Sequence, residues 1–347
     1  MKRILAILLA ACLCVGSVGC GARVQKYTAY SFDYFDTATS IVGYADSQAA
    51  FDAAVAEIKQ QLGEYHQLYN IYQRYDGVTN LAAINARAAG DGTVSVDGRL
   101  ADMLAFAAEM HTLTGGKTNV AMGSVLSIWH TYRERGIDDP TTAQLPPMAE
   151  LTAAAGHTAI TDMVVDTDAD TVYLADDMLT LDVGAVAKGY AVERVAQWMA
   201  AEGYDGWVLN VGGNVRTVGG KPTGEDWLVG IENPNTDSDE PYIAYLELRD
   251  KALVTSGNYQ RYYLVDGVRY HHIIDPVTLM PSDRYRSVSV VCSDSGVADA
   301  LSTALFCMDY DTGVALVDSL TDAEAMWVMP DGTQRYSDGF TAYLQQK

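Results

Sequence analysis

The chain is short of positive charge. Lysine and arginine number 23 against 45 aspartates and glutamates, a formal charge of −22 over 347 residues. So acidic a molecule lacks the basic surface that a phosphate backbone needs, which excludes nucleic acid as a partner. An anionic ligand is admissible only if cations gather at one site or a metal is bound there. Cysteine is also scarce. Of five, only Cys292 and Cys307 lie beyond residue 20, in the apolar contexts "SVSVVC" and "ALSTALFC". That excludes a disulfide framework and leaves two buried free thiols. There is no repeat of fixed period, no long linker, no P-loop spacing, no dinucleotide glycine fingerprint and no Cys/His zinc spacing. The long apolar run from Ile4 to Val15 is too short to span a bilayer.

That run follows a basic "MKR" and precedes "SVGC", the pattern of a signal peptide over residues 1–19. Small residues just before a cysteine predict lipoprotein processing, with Cys20 acylated, and ordinary cleavage with free secretion is the alternative. Loss of Lys2 and Arg3 takes the formal charge from −22 to −24. One lipid anchors and does not span. The chain is therefore expected to be exported and held on the outer face of the cell membrane, with residues 20–30 a short tether and residues 31–347 one folded unit of one or two lobes. The acidic stretch from Glu232 to Pro241 reads as an exposed loop.

Periodicity supplies the elements. "QAAFDAAVAEIKQQLGEYHQLYNIY" and "GRLADMLAFAAEMHTLTGG" carry apolar residues at helical spacing, the second stopped by Gly115 and Gly116. "MVVDTDADTVYLA" predicts a hairpin. "LDVGAVAKGYAVERVAQWMAAEG" predicts a helix with Val192, Val195 and Met199 on one face and Gly203 at its end. "GWVLNVGGNVRTVGG" predicts two short strands about a glycine pair, and "YIAYLELR" and "ALVTSGNYQRYYLV" predict strands. In "YYLVDGVRYHHII", Asp266-Gly267 suits a two-residue turn with positive φ. "YRSVSVVCS" is a strand, and "SGVADALSTALFCM" a helix capped by Ser293, Asp294 or Ser295. Hairpin-linked strands mixed with helices predict an α+β fold, its sheets largely antiparallel and flanked by helices, with a site in a cleft.

Four stretches carry chemistry. Asp182 to Gly189 places a carboxylate, glycines and Lys188 at the mouth of a helix, where unpaired N–H groups and positive partial charge favour an anion. The plain alternative is an Asp cap, with glycines for close packing. In the late helix, Asp299 and Thr303 lie one turn apart on a side flanked by Ala300, Phe306 and Cys307. A helix apolar nearly all round is buried, and a buried carboxylate needs a partner or a metal. A carboxylate with a hydroxyl suits Mg²⁺ or Ca²⁺ better than zinc. In "YHHIIDPVTLMP", His271 and His272 end a strand on opposite faces, so one of them can serve a cleft as a base. "NVGGN" and "TSGNYQRYY" put small and amide residues at strand ends.

Together and in this order, these stretches resemble the FAD:protein FMN transferase (ApbE) family. "YFDTATSI", "IYQRYDGVTNLAAIN", "LTGGKTNVAMGSVLSIWH", "LDVGAVAKGYAVERVAQ", "LNVGGNV", "VTSGNYQRYY", "YHHIIDP" and "SGVADALSTALF" carry the resemblance across nearly all of the chain beyond the signal peptide. It implies that residues 31–347 form an ApbE-like catalytic domain. This would bind FAD with Mg²⁺ and pass the FMN half to a Ser or Thr of an exported target flavoprotein, releasing AMP. The target would be a membrane electron-transport subunit or an extracytoplasmic reductase. The metal would be held by Asp299, Thr303 and the carbonyl of Ala185. FAD contacts would fall at Phe35, Tyr72, Lys117, Thr118, Asn119, Asp182, Lys188 and Ile274, and Tyr72 would stack on a ring. His272, expected to titrate near neutrality, is the candidate base, and Asp182 the alternative for orienting the nucleophile. The chain departs from the family pattern at Asn119, at Asn258, at Lys188, and in "DPVTLMP", which lacks a glycine before its last proline. An FAD pyrophosphatase, with water as acceptor, and a non-catalytic flavin-binding lipoprotein are the rival readings.

Overall fold

The structure, a computed structural model, describes residues 24–87 and 92–346. The predicted signal peptide and Cys20 lie outside the described residues, and the tether expected over residues 20–30 is, from Gln25 on, a strand paired with residues 37–45. In chain order the elements are β1 (Gln25–Tyr34), β2 (Thr37–Ala45), α1 (Gln48–Tyr69), α2 (Leu81–Asn85), β3 (Val94–Ser95), α3 (Gly98–Leu113), α4 (Gly123–Asp138), α5 (Met148–Ala155), β4 (Met163–Asp166), β5 (Thr171–Leu174), α6 (Ala187–Ala201), β6 (Trp207–Val211), β7 (Asn214–Val218), β8 (Trp227–Glu232), β9 (Tyr242–Leu248), β10 (Ala252–Gly257), β11 (Tyr262–Val265), β12 (Val268–His271), β13 (Ser287–Cys292), α7 (Ser295–Phe306), α8 (Tyr310–Asp318), β14 (Ala323–Val328) and β15 (Gln334–Tyr336).

Eight strands make one sheet in the order β1-β2-β6-β7-β10-β13-β14-β15, and its pairs are antiparallel. The mixed α+β, mainly antiparallel reading therefore holds. Alternation along β13 sorts its side chains to two faces. Val288, Val290 and Cys292 join the cluster under α7, while Val291 joins Val215, Leu246, Leu253 and Phe340 beneath the β8–β9 hairpin. With both faces buried, Ser287 and Ser289, which alternate with the apolar residues, are buried too, and Ser289 bonds to Thr255 of β10 at 2.8 Å. Cys292 and Cys307 are free and buried, as their contexts imply. Burial pushes both thiols up to about 12, so they are inert neighbours in the core.

Local signals set the ends. Asp294 caps α7 by accepting the N–H groups of Gly296 and Val297. Gly115 and Gly116 stop α3 with φ of 58° and 81°, and Gly203 ends α6 with φ of 83°. Asp266 and Gly267, both at positive φ, turn β11 into β12. One strand reading needs correction. "ALVTSGNYQRYYLV" is not continuous: β10 stays in the large sheet, and residues 258–261 carry the chain out to the separate β11–β12 hairpin. The break follows from Gly257, where an added Cβ would lie 2.4 Å from the Tyr259 ring folded back on it.

α6 and α7 are locked together over the sheet. Glu193 of α6, 2% exposed, accepts the Ser295 N–H at 2.8 Å and pairs with Arg216 of β7 at 2.8 Å. One carboxylate thereby joins two helices and a strand, and a partnered, hydrogen-bonded charge is the form in which burial is tolerated.

Candidate active site

The contact between α6 and α7 fixes the first half of the site. An added Cβ at Gly189 would stand 2.2 Å from the Ser295 carbonyl oxygen and 2.5 Å from the Asp299 Cβ. Only glycine lets the two backbones come this close. The same approach brings the Gly189 N–H to within 2.8 Å of Asp299 Oδ2. Lys188, one residue earlier, sits 3.8 Å from that oxygen. The glycine within the first turn of α6 is therefore a packing residue that also presents an N–H to the buried carboxylate.

Asp182 does not cap α6. It lies in the turn before the helix, where its Oδ1 accepts the Gly184 N–H at 2.9 Å. Val186 occupies the cap position with no side-chain hydrogen bond. Burial pushes the Asp182 and Asp299 carboxyls above the usual carboxylate range. For Asp182 this is opposed by the Gly184 N–H and by His130, Arg133 and Arg261; for Asp299 by Lys188 and the Gly189 N–H.

These residues open onto a cavity of about 510 Å³. It is lined by all twelve of the sequence-nominated residues that are described: Phe35, Tyr72, Lys117, Thr118, Asn119, Asp182, Ala185, Lys188, His272, Ile274, Asp299 and Thr303. They arrive from separate parts of the fold. Phe35 sits in the β1–β2 turn, Tyr72 in the loop after α1, Lys117 to Asn119 between α3 and α4, and His272 and Ile274 after β12. Four cations (Lys117, Arg133, Lys188, Arg261) line the cavity against three carboxylates (Asp36, Asp182, Asp299). In a molecule of charge −22, this is the local concentration of cations that an anionic ligand requires.

Several nominated side chains are already engaged. Thr118 Oγ1 donates to the Ala300 carbonyl at 2.7 Å, tying the loop to α7. Asn119 Oδ1 accepts the Ala121 N–H at 2.9 Å and its Nδ2 donates to the Thr158 carbonyl at 2.9 Å. Lys117 forms an ion pair with the buried Asp275 at 2.9 Å. These three shape the wall, and their polar atoms are held by the protein. Tyr72, 64% exposed, stands at the lip beside the His130 ring, 5.3 Å between centroids. Thr303, on the cavity side of α7, lies 3.5 Å from Ser256 Oγ at the end of β10.

His272 requires a correction. Burial and the nearby charges of Arg261, Arg133 and Lys188 push its pKa down to about 3, so it does not titrate near neutrality. It is an uncharged imidazole throughout the neutral range, which leaves it able to accept a proton. His271, on the other face of the strand, is buried against Phe306 and bonded to the Ser282 carbonyl, away from the cavity.

Other lining residues were not nominated one by one, although Asn214, Arg261 and His130 lie in the quoted stretches "NVGGN", "TSGNYQRYY" and "LTGGKTNVAMGSVLSIWH". His130 and Arg133 come from α4, where Arg133 donates to His130 Nδ1 at 2.8 Å and Glu134 holds Nε2 at 3.0 Å. Arg261 reaches the Asp36 carbonyl at 3.3 Å. Asn214 is buried at the start of β7, where its amide faces the Asp299 carboxylate and opposes the upward push of burial on it. The spacing of Trp129, His130 and Arg133 is a helical one, and it was the available signal for α4.

The oxygen set can be tested for a metal. Among the described residues no group of three or more His, Cys, Asp and Glu could hold an ion. One buried carboxylate, one hydroxyl and one main-chain carbonyl do not make a full cage. They fit a hard cation that keeps water and takes the rest of its shell from phosphate, which is the habit of Mg²⁺.

A model of the ApbE family matches residues 35–327. The FAD:protein FMN transferase of Treponema pallidum (strain Nichols) is 33% identical over 346 residues, covering 94% of this chain and 90% of the relative. The enzyme of that name from Klebsiella pneumoniae (strain 342) is 28% identical over 278 residues, covering 80% and 82%. The crystal structure of the ApbE protein from Thermotoga maritima superposes with a TM-score of 0.81 at 28% identity, covering 93% of this chain and 100% of the other. The flavin transferase ApbE of Vibrio cholerae shares the fold, with a TM-score of 0.76 at 24% identity and coverage of 92% and 100%.

Proposed function

The chain belongs to the ApbE family, and from that premise we propose that it is an FAD:protein FMN transferase. The observation that carries the reading is the convergence of the twelve nominated residues on one cation-enriched cavity. FAD is the substrate. A Ser or Thr hydroxyl of a target protein attacks the FMN-side phosphorus in line, the bond to the bridging oxygen breaks, and AMP leaves. The product is a phosphoester of FMN on the target.

Asp299, Thr303 and the Ala185 carbonyl would hold Mg²⁺, which when bound to the pyrophosphate supplies charge neutralisation at the leaving AMP. The chain's own groups do the rest. Lys188, Arg133 and Arg261 face the phosphates. Neutral His272 accepts the hydroxyl proton, and Asp182 orients the nucleophile. Bound pyrophosphate would offset the three cations around His272 and raise its proton affinity when a base is needed. The target is an exported flavin-carrying protein, a membrane electron-transport subunit or an extracytoplasmic reductase. The enzyme would meet it on the outer face of the membrane, anchored through Cys20.

The test uses the chain starting after Cys20 with FAD, Mg²⁺ and a target domain bearing a Ser/Thr acceptor. Intact-protein mass and AMP release are measured. A target heavier by one FMN, lost with EDTA, is the expected result. AMP and free FMN with an unmodified target would make it a pyrophosphatase. Bound flavin without AMP would make it a binding protein.

A further inference from the structure

The β1–β2 turn is made by Phe35 and Asp36 alone, and both adopt positive φ, 54° and 50°. Two-residue turns of this kind favour Asn-Gly, because most side chains resist the left-handed region. A phenylalanine held there is a strained residue, and strain persists only where the surroundings over-determine it. Phe35, Asp36 and Thr37 line the cavity, so the strain sits at its lip.

Two side chains clamp the turn. His66, in the last turn of α1, receives the Phe35 N–H on Nδ1 at 3.0 Å, with its ring edge-on to the Phe35 ring at 5.5 Å and 88°. Arg261 holds the Asp36 carbonyl from the opposite wall at 3.3 Å. Because an N–H donates to Nδ1, that nitrogen carries no proton and the ring proton is on Nε2. Nε2 lies 3.3 Å from Tyr75 Oη, which also accepts from Asn70 Nδ2 at 3.2 Å. Asn70 Oδ1 in turn accepts the N–H groups of Tyr72 and Gln73, each at 2.8 Å. One neutral imidazole thus links the Phe35 turn to the loop that presents Tyr72.

We infer that His66 is a positioning residue for flavin capture: by accepting the Phe35 N–H it holds the left-handed lip in its receiving form before FAD arrives. This rests on the reading of the cavity as the flavin site. Doubly protonated histidine has no acceptor, so protonation must release the Phe35 N–H. The titratable groups facing His66 are Asp36 from the turn and Tyr75 from the loop. Asp36 favours the charged ring, burial opposes it, and burial wins. Release therefore falls on the acid side of an ordinary histidine.

The experiment compares wild type, His66→Ala and His66→Asn, whose Oδ1 can replace Nδ1 as acceptor. Amide exchange at Phe35 is measured without ligand, and FAD affinity with Mg²⁺ by flavin fluorescence. In His66→Ala, Phe35 exchange and the Kd for FAD are expected to rise roughly three- to tenfold, the size of one lost hydrogen bond. Turnover at saturating FAD should stay within about twofold, since the lip acts on binding rather than on the chemical step. His66→Asn should restore both quantities. Acidification from about pH 7.5 to about pH 5.5 should weaken FAD binding more in wild type than in His66→Asn. Loss of affinity from Asp182 and Asp299 is common to both and cancels in the comparison. Unchanged Phe35 exchange in His66→Ala, or His66→Asn as impaired as His66→Ala, would overturn the inference. A wild-type chain that bound no FAD would refute the transferase reading and the flavin half of this one. The exchange comparison would still decide whether the clamp exists.

Discussion

At the floor of the cavity, α6 and α7 meet backbone to backbone through Gly189, and the Asp299 carboxylate is held by a main-chain N–H at 2.8 Å. At its lip, the Phe35–Asp36 turn stands in a strained conformation held by side chains from α1 and from the loop before β11. The floor is buried and built from small residues at helical spacing, so one substitution there has no room to relax. The lip is made of long side chains at the surface, so its parts give way singly and by smaller amounts. Chemistry is therefore expected to depend on the floor, and capture of the ligand on the lip.

Asp299→Asn gives the sharpest test. The amide keeps an acceptor for Gly189 and removes the charge, so turnover should fall by about two orders of magnitude or more, the scale of losing electrostatic stabilisation at the reacting centre. Stability should move the other way. The Asp299 carboxyl is held above its unfolded value by burial, so the native state binds the proton more tightly. Its contribution is full below the unfolded pKa and is lost as pH rises through the folded one. At neutral pH the variant should be more resistant to urea than wild type, and the difference should shrink on acidification. A less stable variant at neutral pH would mean that the charge is well paired without a metal.

Gly189→Ala attacks the same floor through shape. Its Cβ would meet backbone at 2.2 Å, so α6 and α7 must separate. A cost of about 1–3 kcal/mol is expected from overpacking, against a small gain in helix propensity. Urea unfolding and AMP release should fall together; full activity would show that the contact is looser than described. His272→Gln should slow transfer by about ten- to a hundredfold with FAD affinity kept, the range of a lost general base. With its pKa near 3 in the free protein, His272 should put no inflection between about pH 6 and 8 into kcat/KM, whose profile reports the free enzyme.

Arg261→Gln tests the lip. Loss of one cavity cation and of the grip on the Asp36 carbonyl should raise the Kd for FAD several-fold, roughly one charge-assisted hydrogen bond. It should also flatten the salt dependence of binding while leaving the unfolding midpoint nearly unchanged. The smallest effect is expected at Leu279. It occupies a left-handed position at φ 59°, in the turn that lacks a glycine, and is held by Trp129 Nε1 on its carbonyl at 2.8 Å. Leu279→Gly should stabilise by up to about 1 kcal/mol, reduced by the lost packing of leucine against the Trp129 cluster. A drop in melting temperature would show that the packing is worth more than the strain.

Legibility followed the same division. Asp299 and Thr303 were readable because a carboxylate and a hydroxyl one turn apart on an otherwise apolar helix stand out, and α7 is buried nearly all round. Gly189 was readable as an anomaly, though its cause, the Ser295 carbonyl, lies far along the chain. His66 and Arg133 were not readable, since each sits on a segment whose pattern marks only helix; for Arg261 the stretch "TSGNYQRYY" was marked but the side chain was not. The partner of each is chosen by how distant segments pack. Asn70, Tyr72 and Tyr75 form a loop whose order comes from hydrogen bonds that no spacing rule encodes.

What the sequence determined by itself was everything fixed by neighbours within a few residues. That covers helix faces, caps and glycine stops, the Asp266-Gly267 turn, the mixed α+β class, the oxygen pair on α7 and the motif order of the family. The tertiary structure alone decided where cations gather in an acidic chain, which nominated side chains are already engaged, and that His272 is an uncharged imidazole. It also decided that two residues hold a strained turn at the lip. The physical reason is range. Propensity and hydrogen bonding along the chain act locally, whereas burial, proton affinity and side-chain clamps are set by groups such as Asp36 and Arg261, 225 residues apart, which meet only when the sheet and its helices have packed.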